Sequence, residues 1–160
     1  MKTLIAYATR YGATEKASRL LSEELQGDVH LCNLSQDPAP DISAYDRIII
    51  GGSIYVGQIQ DDVKTFCTEN LASLQQKPLG LFICCGDEDR AQEQLEQNFD
   101  AALMAHATAV DCFGYEYDFA KMNFLFRLII RAKAGVRQSE SRLRAERIGA
   151  FAQAFNTATE

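Results

Sequence analysis

The sequence offers few of the residues from which metal sites and nucleophilic sites are usually built. It contains two histidines, His30 and His106, which stand far apart, and five cysteines without a C-x-x-C pair. Neither spacing is typical of a metal site or of a disulfide framework, so we interpret the cysteines as small apolar residues. No pairing of Ser, His and Asp or of Cys and His is evident. A G-x-G-x-x-G motif for dinucleotides is also absent.

We also expect no secretory leader, and the sequence contains no long apolar run. Met1-Lys2 leads straight into an apolar stretch, without the basic segment and apolar core of a signal peptide. The most apolar helical pattern, over residues 121–134, is about 14 residues long and too short to span a bilayer. We therefore expect a cytoplasmic protein, and a length of 160 residues predicts one domain, residues 1–160.

Positive charge is scarce except in one segment. The net charge is -6, yet residues 121–147 carry eight Lys or Arg against two Asp or Glu. Because the remaining body is acidic, binding to nucleic acid is disfavoured, and the basic segment indicates a dedicated surface.

Apolar runs of strand length alternate with helical patterns along the chain. We predict strands at Leu4–Ala8, Val29–Cys32, Arg47–Ile50, Leu79–Cys84 and Ala109–Tyr115. Helical spacing of apolar residues marks Glu15–Leu25, Asp61–Leu74, Ala91–Ala107 and two later segments. This alternation predicts an α/β fold with a five-stranded parallel sheet between two helical layers, in which Ile48-Ile49-Ile50 belongs to a central strand.

Three glycine-containing loops should meet at one edge of that sheet. They follow the first, third and fourth strands, at Thr9–Thr14, Gly51–Gln58 and Cys85–Asp89. In an open parallel sheet, ligands bind beyond the carboxyl ends of the strands. The first loop precedes a helix, whose free N–H groups and dipole stabilise an anion. That loop alone is equally consistent with an ordinary turn capped by Thr14, whereas three such loops together favour a ligand site.

With these loops in place, the chain resembles the flavodoxin family over nearly its whole length. The T/S-x-x-G-x-T pattern of the first loop is similar to the family's loop for the FMN phosphate, and the resemblance implies a sheet order of 2-1-3-4-5. It also implies noncovalent FMN binding, with the second and third loops on either side of the isoalloxazine ring. The implied cofactor-binding residues are Thr9, Arg10, Tyr11, Gly12, Ala13, Thr14, Ser53, Ile54, Tyr55, Val56, Gly57, Cys85, Gly86 and Asp87.

A narrower resemblance is to the menaquinone-dependent protoporphyrinogen dehydrogenase branch of that family. It is carried by Arg10 in the first loop, by Gly52-Ser53-Ile54 and by an extra basic, apolar helix inserted at residues 119–135 after the fifth strand. This implies an FMN-dependent, quinone-linked enzyme of haem biosynthesis acting on a porphyrinogen, with Arg10 beside the phosphate. The alternative is a soluble FMN electron carrier that serves a partner protein. Flavin would carry the chemistry, so no catalytic side chain is expected.

Two further hypotheses concern charge. The segment from Met122 to Arg137 combines apolar residues with Arg127, Arg131, Lys133 and Arg137, which suits peripheral contact with the inner face of the cell membrane. The alternative is an apolar helix packed on the domain or in a dimer interface. The acidic run Asp87-Glu88-Asp89 would disfavour reduced, anionic flavin and lower its potential, unless it is only a solvated turn.

Overall fold

A computed structural model describes residues 1–158 and places five parallel strands in one sheet. The strands of this sheet are β1 (Lys2–Tyr7), β2 (Asp28–Asn33), β3 (Arg47–Ser53), β4 (Leu79–Cys84) and β5 (Ala109–Cys112). Their order is β2-β1-β3-β4-β5, and every neighbouring pair is parallel. The α/β fold class and the strand order are therefore confirmed.

The centre of the sheet is β3, in which all seven residues are buried. Its isoleucines point alternately to the two faces of the sheet, as the period of two in a strand requires. Ile48 and Ile50 belong to one apolar core and Ile49 to the other. A strand buried on both sides carries no polar alternation, which is why the sequence marks it so clearly.

Helices cover both faces of the sheet. They are α1 (Ala13–Glu24), α2 (Asp61–Glu69), α3 (Leu71–Leu74), α4 (Ala91–Asn98), α5 (Ala101–His106), α6 (Phe124–Ala134) and α7 (Ala145–Thr157). Leu21 of α1 and Phe151 of α7 share one core with Phe82 and Phe113. Val63 of α2 and Leu95 of α4 fill the other. Among the described helices, none is long and apolar enough to cross a membrane.

Three predicted elements are interrupted. The strand predicted at residues 109–115 ends at Cys112, and from Gly114, whose φ is +81°, the chain continues as a separate strand, β6 (Gly114–Tyr117). β6 leaves the parallel sheet and pairs antiparallel with β7 (Glu140–Leu143). The helices predicted at 61–74 and 91–107 each divide in two, the second where Asp100 caps a new helix by accepting from Ala102 N.

The insertion follows β6 and consists of a connecting segment, α6 and a return to β7. Asn123 caps α6 by accepting a hydrogen bond from Phe126 N at 2.9 Å, and Gly135 ends the helix with a φ of +67°. No residue of α6 is buried. The assignment of residues 1–160 to one domain stays a prediction, and its last two residues lie outside the described part of the chain.

A buried arginine joins early and late parts of the chain at the opposite edge of the sheet. Arg47, at the start of β3, is fully buried and donates to Thr3 Oγ1 at 2.5 Å and to the carbonyl oxygen of Gln26. It also donates to Asn156 Oδ1 of α7 at 3.3 Å. Burial lowers the pKa of its guanidinium, and these acceptors compensate for part of the lost hydration.

Candidate functional site

The first loop forms a tight turn between β1 and α1. Gly12 adopts a φ of +98° and its N–H donates to Thr9 Oγ1 at 2.9 Å, which closes the turn. α1 begins at Ala13, so the amides of its first turn lack partners within the helix. The hydroxyl oxygen of Thr14 is buried and has no hydrogen-bond partner in the part of the chain described. These unsatisfied groups and the helix dipole suit a phosphate.

The second loop is a tight turn after β3. Tyr55 and Gln58 exchange two backbone hydrogen bonds, at 2.9 and 3.0 Å, around Val56 and Gly57. Both central residues are left-handed, with φ values of +50° and +77°, as a two-residue hairpin turn demands. Valine is β-branched and rarely adopts this conformation, so the turn is strained at Val56.

Helix α4 holds this second loop in place. Asn98 Nδ2 donates to the carbonyl oxygen of Gly57 at 3.1 Å, while Asn98 Oδ1 accepts from Ile59 N at 2.8 Å. The Asn98 side chain is almost fully buried. Helix α4 therefore anchors the loop directly after its strained residue, at Gly57 and Ile59.

The third loop follows β4 and carries the acidic run. Glu88 accepts from Arg144 at 2.9 Å and lies 4.0 Å from Arg147, so its charge is largely compensated. Of the three carboxylates, that of Asp87 lines a cavity between this loop, the second loop and the insertion. A Cβ on Gly86 would lie 2.0 Å from the hydroxyl of Tyr117, so the backbone here packs directly against β6.

A cavity of about 630 Å³ joins the second and third loops to the insertion. Nine of the residues implied by the family resemblance line it, namely Ala13, Ser53, Ile54, Tyr55, Val56, Gly57, Cys85, Gly86 and Asp87. The other five, Thr9, Arg10, Tyr11, Gly12 and Thr14, belong to the neighbouring phosphate loop. Twelve lining residues were not predicted for the site, namely Cys84, Arg90, Gln94, Gln97, Tyr115, Glu116, Tyr117, Phe126, Ile129, Ile130, Lys133 and Ala134.

An aromatic cluster connects the phosphate loop to the cavity. The rings of Tyr11, Tyr55 and Phe126 lie pairwise edge to face, with centroids 5.6 to 5.9 Å apart. The guanidinium of Arg10 stacks over this cluster, 4.2 Å from the centroid of Phe126. That Arg10 pairs with a bound phosphate stays a prediction.

The tyrosines of the cavity remain protonated at neutral pH. Burial raises the pKa of Tyr55, and desolvation together with the nearby Tyr115 raises the pKa of Tyr117 to about 12. Both phenols can therefore donate a hydrogen bond to a ligand.

The side-chain amide of Gln94 forms part of the cavity wall. Gln94 of α4 is 7% exposed, and its Oε1 has no hydrogen-bond partner in residues 1–158. Such an atom costs free energy unless a donor reaches it. Nothing in the sequence distinguishes Gln94 from the other glutamines of the same helix.

All five cysteines are free and buried. Cys85, on the cavity wall, lies 3.2 Å from Cys112 between their sulfur atoms. The hydrogen bond between the two sulfur atoms and nearby backbone N–H groups lower the pKa of Cys112, while the same hydrogen bond and burial raise that of Cys85. The pair packs as two small apolar groups, in agreement with their interpretation from the sequence.

Comparison with known proteins agrees with this architecture. The model of the flavodoxin domain family matches residues 4–144. Protoporphyrinogen IX dehydrogenase (quinone) of Escherichia coli K12 is 32% identical over 87 residues, which cover 51% of this chain and 47% of that protein. The match thus spans about half the length of this curated relative.

Solved structures show the same fold at low sequence identity. A short-chain flavodoxin associated with a non-canonical PDU bacterial microcompartment has a TM-score of 0.65 at 16% identity, with 100% of this chain and 99% of that one covered. The flavodoxin of Streptococcus pneumoniae TIGR4 has a TM-score of 0.61 at 19% identity, with 99% of both chains covered. Rubredoxin oxygen:oxidoreductase of Desulfovibrio gigas reaches 0.65 at 16% identity, over 99% of this chain and 36% of that one.

Proposed function

Because the chain belongs to the flavodoxin family, we propose that it binds FMN at the carboxyl edge of its sheet and acts as an oxidoreductase. We further propose that it is a quinone-linked dehydrogenase similar to protoporphyrinogen IX dehydrogenase. Bound FMN would accept and pass on electrons, which explains a site without an evident nucleophile or general base.

The described residues suit this cofactor. The phosphate would occupy the loop at residues 9–14, where the first amides of α1 and the Thr14 hydroxyl are available. The flat ring would enter the cavity between the second and third loops. The amide of Gly57, in the strained turn, and the free Oε1 of Gln94 are candidates for its polar edge.

The observation that favours an enzyme over a carrier is the inserted wall of the cavity. Phe126, Ile129 and Ile130 of α6 line the same space as the flavin loops. An apolar wall beside the cofactor can hold an apolar substrate, such as a quinone or a porphyrinogen, by removing its surface from water. A carrier function is favoured instead by the exposed carboxylates of Asp87 and Asp89, which could steer a basic partner protein.

A turnover assay separates these functions. FMN-loaded protein is mixed with protoporphyrinogen IX and a naphthoquinone, and porphyrin fluorescence is followed over time. We expect turnover by the wild type and a loss of at least about tenfold in the Ile129→Ser/Ile130→Ser variant, because its wall would be polar. Arg137→Ala, which changes the insertion outside this cavity, is the control. FMN binding without turnover would favour the carrier, and protein that takes up no FMN would contradict both.

The outer side of α6 supports a second proposal, peripheral contact with an anionic membrane. Phe124, Leu125 and Leu128 are exposed, Phe124 by 73%, and so is Arg131 on the same helix, while the exposed Lys133 lies at the cavity. Apolar and basic side chains together favour the interface of an anionic bilayer. The inward residues Ile129 and Ile130 are separate from this surface.

Vesicle co-sedimentation tests the membrane proposal. We expect the wild type to bind vesicles containing phosphatidylglycerol and not neutral ones. The Phe124→Ser/Leu125→Ser variant should lose binding, while Ile129→Ser/Ile130→Ser should retain it. Equal binding by all three proteins would remove α6 from any membrane role.

A further inference from the structure

The connecting segment between β6 and α6 brings a cation to the phosphate loop. A Cβ built on Gly12 would lie 3.3 Å from Nζ of Lys121, so the ammonium group stands directly over the turn that precedes α1. This charge comes from more than a hundred positions later in the chain.

This position is electrostatically unfavourable for a cation without an anion. The N-terminus of a helix carries a partial positive charge, which repels an ammonium group. The ion pair between Lys121 and Asp118 spans 3.7 Å and compensates only in part, because Lys121 is 62% exposed and the pair is screened by water. A dianion bound between the loop amides and Lys121 would replace the repulsion between the helix N-terminus and the ammonium group by attraction of both to the dianion.

The backbone of Lys121 is held in place from both sides. Phe119 and Met122 are buried, and Phe119 N donates to Ser139 Oγ at 3.0 Å across the insertion. Lys121 N donates to the carbonyl oxygen of Asp118 at 3.1 Å. The side chain is therefore presented to the loop by ordered backbone, although its own surface is solvated.

Arg10 has a different neighbourhood although it belongs to the loop itself. Its guanidinium lies over the rings of Tyr55 and Phe126. Two cations thus flank the phosphate loop, one stacked on aromatic rings and the other facing the glycine.

We propose that Lys121 binds the phosphate of the cofactor and thereby links the insertion to the phosphate loop. The assignment rests on the proposed binding of FMN. It makes the protein selective for the phosphorylated flavin, since riboflavin offers Lys121 no charge. The insertion would then serve the cofactor as well as the substrate.

Flavin titration of the apoprotein tests the assignment. Dissociation constants for FMN and riboflavin are measured by fluorescence quenching at low salt for the wild type, Lys121→Ala, Lys121→Arg and Lys2→Ala. We expect Lys121→Ala to weaken FMN binding about five- to tenfold, while riboflavin binding is unchanged, and Lys121→Arg to restore most of the loss. Lys2→Ala removes the same charge at the opposite edge of the sheet and should leave both constants unchanged.

Salt gives an independent readout. Raising ionic strength should weaken FMN binding to the wild type more than to Lys121→Ala, because the variant has lost a screened charge interaction. An unchanged ratio of FMN to riboflavin affinity in Lys121→Ala would overturn the assignment of Lys121 and leave the proposed binding of FMN standing. Wild-type protein that binds neither flavin would overturn the proposed function and the assignment with it.

Discussion

The central sheet and the insertion contain similar apolar residues but differ in how far these residues are buried. Every residue of β3 is buried, whereas no residue of α6 is, although both segments are rich in aliphatic side chains. In the sheet, apolar side chains are covered by helices on both faces and stabilise the fold. In α6, one set lines a cavity and another faces water. Apolar composition therefore indicates burial only where the chain itself supplies the cover.

The largest expected difference is in the free energy of unfolding when one phenylalanine is removed from the core on the sheet and one from the insertion. Phe113 is fully buried and stacks on Phe82 with centroids 4.6 Å apart. We expect Phe113→Ala to lower the free energy of unfolding by about 3–5 kcal/mol, because a cavity remains in the core. Phe126→Ala should cost less than about 1 kcal/mol, since its helix is half exposed. Urea unfolding measures both, and similar losses would show that α6 belongs to the cooperative core.

The junction between the two regions is sensitive to one added methyl group. Gly86→Ala would place a Cβ 2.0 Å from the hydroxyl of Tyr117 and push that ring from its position in the cavity wall. We expect FMN affinity to fall about tenfold with little change in unfolding. The double variant Gly86→Ala/Tyr117→Phe removes the clashing oxygen and should recover much of the affinity. Failure to recover would place the defect in the third loop itself.

Two glycines sharpen the comparison through helix stability. A Cβ on Gly149, inside α7, meets no atom within 4 Å, so Gly149→Ala should raise the free energy of unfolding by about 0.5–1 kcal/mol. Gly135 also has open space, but its φ of +67° penalises alanine. Gly135→Ala should loosen the end of α6, visible as faster amide exchange there, while global thermal unfolding changes little. A large drop in melting temperature would contradict this.

The smallest expected effect is on the potential of bound FMN. Asp87 lines the cavity, whereas Glu88 is paired with Arg144. Removing one solvated charge near the flavin should raise the potential of its second reduction by about 10–40 mV. Redox titration should therefore show a rise in Asp87→Asn and almost none in Asp89→Asn. The Asp87→Asn/Glu88→Gln/Asp89→Asn variant gives the upper limit, and no change in it would dismiss the acidic run as a solvated turn.

The sequence predicts the sheet better than the site. The isoleucines of β3 and the alternation of strands and helices are periodic signals, so the topology follows from them. The break at Gly114 was missed because the apolar run continues through it, and only its positive φ separates β5 from β6. An apolar run does not reveal which partner strand it will join.

The site residues missed by sequence reasoning come from outside the three loops. Gln94 carries no local signal, and its role depends on α4 facing the cavity. Lys121 and Phe126 belong to the predicted basic insertion. The proximity of Lys121 to Gly12, and of Phe126 to Tyr55, depends on the path of the chain after β6, which the sequence does not indicate. Apolar spacing over residues 121–134 indicates a helix, and it cannot say which of its sides faces the cavity.

The buried hydrogen bonds of Arg47 have a consequence for folding during translation. Its contact with Asn156 spans 109 residues. A ribosome that has released all five strands of the parallel sheet has therefore not yet released the helix that completes one core and one of the acceptors of this arginine. Until then the nascent sheet exposes the apolar side that α7 will cover, in a fold whose long-range pairings form slowly. We therefore expect the nascent sheet to be protected from aggregation only once α7 has emerged and packed on it.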